Sequence, residues 1–216
     1  MTDRPRTNDE PLHVGHVLRA STNGFDFGTR GNAISAQHSF GSFVLAEIAG
    51  NTDDLLQYAV GLIYAIRIAD DPFVRELVMA AEVNESTLRD QRENRLVPIE
   101  TLVLNVGYVT YRNDRFTAPI HSMPPRPPLS LTSVYLLPAD GVLTFTQRQD
   151  FFRTVLNAGE VPSDDLLASA VRYAGALIPD ERERYDFYIA AGRQIARLLT
   201  SDLRRLSHLL NLIRPT

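Results

Sequence analysis

The side chains able to do chemistry in this 216-residue chain are few in kind. All 22 positions counted as lysine plus arginine are arginine. There is therefore no ammonium group for a G-x-x-x-x-G-K-[ST] phosphate loop, a Schiff base or a Ser/Lys nucleophile pair. Cysteine is absent, which removes thiolate nucleophiles, disulfides and cysteine zinc sites. Five histidines remain. His13 and His16 lie three apart in a candidate strand, where an odd separation sends side chains to opposite faces, so they are expected to stay apart. His38, His121 and His208 fall in separate elements, and no metal or cofactor site is expected. The carboxylate pairs Asp53-Asp54, Asp70-Asp71 and Asp164-Asp165 sit at turns or helix starts, where capping alone explains them. With no nucleophile, acid/base pair or ligand cluster singled out, the chain is expected not to be an enzyme.

The C-terminal part carries a binding signal instead. Tyr188, Gly192, Ile195, Leu199, Leu203, Leu206, Leu210 and Ile213 step by threes and fours, close to a heptad seam on one long helix from Asp180 to Ile213. Gly192 and Thr200-Ser201 are places where that helix could break. The stripe must be buried, either in an intramolecular bundle or against a partner or second copy; its apolar members are the candidate partner-binding residues. Arg197, Arg204 and Arg205 lie off the stripe and, with Arg19, Arg112 and Arg115, form a weak candidate set for nucleic acid. The net charge of −4 gives no general attraction to phosphate.

The elements that must position these groups divide the chain. Residues 1–11 read as a polar arm without the apolar stretch of a signal peptide. The longest apolar run, Ala59 to Ile66, is far short of the roughly 18 to 20 residues that cross a bilayer, so no membrane contact and a cytoplasmic address are expected. Val14 to Arg19, turn residues Ser21 to Gly24 and Phe25 to Phe27 form a candidate hairpin. A turn region at 28–35 precedes a strand over Phe40 to Ile48, closed by Gly50 to Asp53. Leu55 to Ala69 alternates at period two as a long strand. Pro72 opens a short helix through Val83, a polar link covers Asn84 to Arg95, and Leu96 to Tyr111 is one strand or two with Pro98 near an edge. Asn113-Asp114 is a turn. Four prolines among residues 124–128 impose an extended strap. Ser133 to Leu137 and Val142 to Phe145 are expected to pair as strands. Thereafter helices are expected from Thr146 to Leu156, from Leu166 to Ile178 and from Asp180 onward. The fold class is α+β: an antiparallel β-barrel over 12–145 with a short helix inserted, then a helical bundle over 146–216.

The run Gly15-His-Val-Leu-Arg-Ala-Ser-Thr-Asn-Gly-Phe-Asp-Phe27, with Gly41-Ser-Phe-Val-Leu45 and Pro124-Pro-Arg-Pro-Pro-Leu129, resembles the HAS barrel. This barrel stands at the N-terminus of HerA-type DNA translocases and of ATP synthase α and β subunits, and the likeness covers about residues 12 to 145. It implies a barrel that holds oligomeric rings together and offers a docking surface. Those translocases continue into a RecA-like ATPase core, whereas this chain continues into about 70 residues without a phosphate loop. The resemblance therefore implies a non-enzymatic docking or assembly protein working with a HerA-like ring ATPase in DNA processing, with a homo-oligomer as a further expectation. A nucleic-acid-binding barrel is the alternative.

Overall fold

A computed structural model describes residues 11–30, 38–52, 55–68, 72–79, 98–112 and 115–214. The polar arm up to residue 10, most of the turn region at 28–35, Asp53-Asp54, Asp70-Asp71, the link at 84–95 and the turn at Asn113-Asp114 lie outside the described residues.

Seven strands form one sheet: β1 His13–Ala20, β2 Gly24–Arg30, β3 Phe43–Glu47, β4 Leu56–Ile68, β5 Pro98–Arg112, β6 Arg115–Phe116 and β7 Ser133–Leu136. Their order is β2-β1-β7-β3-β4-β5-β6, every pairing is antiparallel, and β2 also pairs with β5. That last pairing closes six strands into a barrel, with β6 as a short extension. The expected hairpin of β1 and β2 is present, with Ser21 N–H bonded to the Gly24 carbonyl at 2.8 Å. The alternating run is one 13-residue strand, and 98–112 is a single 15-residue strand. Pro98 is the first residue of β5, which lies between β4 and β2 and is no edge strand. At a strand start the missing N–H leaves no gap inside the ladder.

Alternation sorts side chains into two cores. Val14, Val17, Phe25, Phe27, Val44, Ala59, Ile63, Val103 and Val134 fill the barrel. On the opposite faces of β3, β4 and β5, Phe43, Leu45, Val60, Leu62, Leu104 and Val106 pack outward against helices. Gly61 is inward and has no side chain because a Cβ there would collide with Val103. His38 sits in the barrel core beside Phe27, its Nε2 sharing a 2.8 Å hydrogen bond with Thr101 Oγ1.

The helices are α1 Pro72–Met79, α2 Ala139–Thr146, α3 Phe152–Leu156, α4 Ser163–Ala176, α5 Glu181–Leu198 and α6 Leu203–Leu212. Two expectations need correction. Residues 142–145 are not a strand pairing with 133–137 but belong to α2, which buries Val142, Phe145 and Thr146 on one face. Two helical turns give too little periodicity to distinguish from a short strand. The helix expected from Thr146 to Leu156 is divided. Thr146 Oγ1 bonds back to the Val142 carbonyl at 2.8 Å as α2 ends, and α3 begins only at Phe152. The helical part thus starts at Ala139 and shares a core with the barrel wall. Phe43, Phe145, Phe151 and Tyr173 join the two, with ring centres 5.9, 6.0 and 6.3 Å from that of Phe43. The proline-rich segment straps this assembly. Pro127 accepts the Ala49 N–H at 2.9 Å, and His121, earlier in the strap, lodges between Phe145 and Phe151 with Nε2 donating to the Phe145 carbonyl at 3.0 Å.

Two predictions follow from the shared core and its histidines. Replacing Phe43 with Ala is expected to lower stability by about 3–5 kcal/mol, and barrel and helices should still unfold together in urea; separate transitions by circular dichroism and tyrosine fluorescence would contradict the single core. Burial holds both His38 and His121 below the ordinary imidazole value. The unfolded chain then takes up protons first, so their contribution to stability is complete above about pH 6.5 and is lost as pH falls toward the lower folded-state values. Urea midpoints measured from pH 7.5 to 5 should fall less steeply for His38→Gln than for the wild type; equal slopes would show that His38 is not the titrating group.

Candidate functional site

Among the described residues the helices pack against β3, β4 and β5 and not over the outer face of β1, where His13, His16, Leu18 and Arg19 are exposed. His13 and His16 do not diverge as the strand period requires. Their rings meet edge to face with centres 4.7 Å apart, and the Tyr135 ring lies 5.5 Å from His13. The cause is a register shift against β7 between His13 and Gly15, a bulge that places Val14 and Val17 both inside and both histidines outside. Gly15 fits because any Cβ there would collide with the Gly28 carbonyl and the Phe27 ring. His13 is held below its ordinary pKa by partial burial and then by the charge of His16.

A second shift, between Val17 and Arg19 against β2, turns Leu18 and Arg19 outward together. Beside them the strap ends in a loop fastened to β1: Leu131 N–H bonds to the Val17 carbonyl at 2.8 Å, Val17 N–H to the Thr132 carbonyl at 2.9 Å, and Ser130 Oγ to the Leu18 carbonyl at 3.2 Å. This loop presents Leu129 at 62 % exposure and Leu131 at 78 %, next to Leu18 at 51 %. Leu131 has φ of 68°, a left-handed backbone that costs a non-glycine residue about 1–2 kcal/mol.

Arg19 is held across the strands, donating to Asp26 on β2 and at 2.7 Å to Glu100 on β5. The hydrogen bond to Asp26 and the two carboxylate charges raise its pKa further. This network borders a cleft of about 730 Å³ between the β1–β2 hairpin and the α3 region. Phe25, Val103 and Leu104 give it an apolar side, while Arg153, Glu160 and Tyr64 face it with mixed charge and a hydroxyl. Burial and nearby Asp26 raise the Tyr64 pKa. Among the described residues no histidine lines it, and Asp26 is engaged by Arg19.

The sequence-predicted stripe lies elsewhere and turns inward. Helix α5 stops at Leu198, Asp202 caps α6 by accepting the Arg205 N–H at 2.9 Å, and the break at Thr200-Ser201 doubles the stripe back. Gly192 does not break α5, and a Cβ there would meet Leu210 at 3.4 Å, an ordinary van der Waals contact. Ile195, Leu199 and Ile213 are buried in the chain's own core, with Tyr188, Leu206 and Leu210 packed against it. Only Leu203, at 71 % exposure, faces solvent strongly. The candidate arginines do not gather at one place either. Arg205 is occupied by Asp164 at 2.7 Å and Ser163 at 2.9 Å, which also gives one of the aspartate pairs a role beyond capping. Arg197 and Arg204 are exposed on α5 and α6, the backbones of Arg112 and Arg115 are register partners in the β5–β6 pairing, and Arg19 is on β1. Sequence reading missed Leu18, Leu129 and Leu131; leucine directly after a proline strap, outside any periodic element, was the available signal. Among the described residues no three His, Cys, Asp or Glu side chains converge on one point, and no helix is long and apolar enough to cross a membrane. Comparison with protein-family models and with curated proteins finds no match to the chain.

Proposed function

We propose that the chain is a non-enzymatic docking or assembly protein that uses the uncovered barrel wall, and that its partner is a HerA-type ring ATPase acting in DNA processing. The observation that carries the docking part is the leucine trio at Leu18, Leu129 and Leu131, held on the surface by a strained backbone at Leu131. Strain that displays an apolar side chain to water does nothing for this chain's own core, and it suits a surface that another protein covers. The ATPase part rests on the HAS-barrel resemblance of the same β1–β2 region. A barrel closed by the β2–β5 pairing has no free ladder edge there, so recognition on this wall works through side chains and the strap loop.

The nucleic-acid reading is weaker on electrostatic grounds. Arg19 lies between two carboxylates and Arg205 is paired with Asp164, so neither offers an unshared charge to a phosphate.

Two measurements test the proposal. Tagged wild-type protein should recover a ring ATPase from its native cells, and Leu129→Glu/Leu131→Glu, with unchanged circular dichroism, should recover at least about tenfold less, as for loss of an interface centre. Equal recovery by the variant, or no ATPase with the wild type, would overturn it. Titration with labelled single- and double-stranded DNA should show no saturable binding at about 0.15 M salt; tight binding that falls steeply as salt rises would favour the nucleic-acid reading.

A further inference from the structure

We propose that His13 and His16 form a two-imidazole site for a divalent late-transition ion of the zinc, nickel and copper class, on the outer face of β1. The site is independent of the docking proposal, since it asks nothing of a partner protein.

The bulge in β1 sets the geometry. An unbroken strand would set these two rings on opposite faces; the shift between His13 and Gly15 sets them on the same face, exposed and adjacent. Gly15 permits the backbone path, because a side chain there would strike Gly28 and Phe27. Bulges serve to re-aim side chains, and this one brings together two nitrogen ligands that are otherwise unconnected in the fold.

The separation also fits a shared ion. An imidazole-bound metal lies about 2.0–2.1 Å from its nitrogen, hence about 3.2 Å from the ring centre. Two rings at an angle of about 90–110° around one tetrahedral or octahedral ion then have centres about 4.5–5.2 Å apart. The observed 4.7 Å falls in that interval. Edge-to-face stacking tolerates about 4.5–7 Å and by itself implies no metal affinity, which is what the test separates. Tyr135, 5.5 Å from His13, supports one ring from the side.

The ligand set decides the ion class. Among the described residues no carboxylate joins the two imidazoles in a group of three, and an imidazole pair selects borderline transition ions over magnesium or calcium, which require oxygen ligands. With two protein ligands the remaining positions belong to water.

The full chain, freed of any affinity tag, is titrated with nickel and zinc chloride and, as a control, magnesium chloride. Calorimetry should give one nickel or zinc ion per chain and no response to magnesium. The His13 and His16 ring signals in NMR spectra should move together, ahead of those of His208. His13→Ala and His16→Ala should each weaken binding about tenfold or more while leaving the metal-free melting temperature unchanged. Rings that do not respond to millimolar nickel in the wild type, or an affinity that survives either substitution, would overturn the site.

Discussion

The architecture depends on β5, which is paired along both sides. Its 15 residues pair with β4 over nearly their whole length and with β2 over the first half, and without the second pairing the sheet would be open with two free edges. Closing so small a barrel requires strands to bend, and the bends fall at register shifts: in β1 against β7 and β2, and in β4 against β5 at Val60/Gly61 and Ile63/Ala65. Closure therefore causes the surface chemistry described above. The bulge that lets β1 curve pairs His13 with His16, and the next turns Leu18 and Arg19 outward together.

Closure also explains why the helices sit where they do. A barrel interior filled by Phe25, Phe27, Ile63 and Val103 consumes only one side of each strand. The outer sides of β3, β4 and β5 are as apolar as the inner ones, with Phe43, Val60, Leu62 and Val106, so they must be covered, and the C-terminal helices do this. The outer side of β1, with histidines, an arginine and one leucine, calls for no such cover. The two walls of one barrel thus differ because their outward residues differ, and the docking surface we propose is the wall on which His13, His16, Leu18 and Arg19 are exposed.

Much of this arrangement was legible in the residues, for identifiable reasons. In β4 the alternation of Tyr58, Val60, Leu62 and Tyr64 with Ala59 and Ile63 is long enough to establish period two, and the barrel-then-helices order follows from it and its neighbours. Asp180 was readable as the start of α5 because its carboxylate has one task, accepting the Glu183 N–H at 2.8 Å. The His13–His16 pair was not readable, because a bulge is a property of register between strands distant in sequence and leaves no periodic trace. The heptad stripe was readable as apolar but not in its destination. Whether such a seam meets another chain or itself depends on a four-residue break, and the turn at Thr200-Ser201 followed by the Asp202 cap folds it onto its own core.

The exclusive use of arginine takes on a structural meaning once the helix ends are considered. Helix C-termini leave carbonyl oxygens without partners, and a planar guanidinium with five donors can serve one of them while holding a second group, which a lysine ammonium does with far less geometric definition. Arg172 donates at 2.6 Å to the Leu212 carbonyl at the end of α6 and at 3.3 Å to Ser169 on its own helix. Arg184 reaches the Ile178 carbonyl just beyond α4 at 3.3 Å. Arg205 spans the Leu156 carbonyl, Ser163 and Asp164, joining the end of α3 to the start of α4 from α6. Arg19 performs the same bridging on the barrel, from β1 to both β2 and β5. A cation used as a forked connector inside its own fold is a poor contact for nucleic acid, and for this reason the number of arginines says little about phosphate binding here.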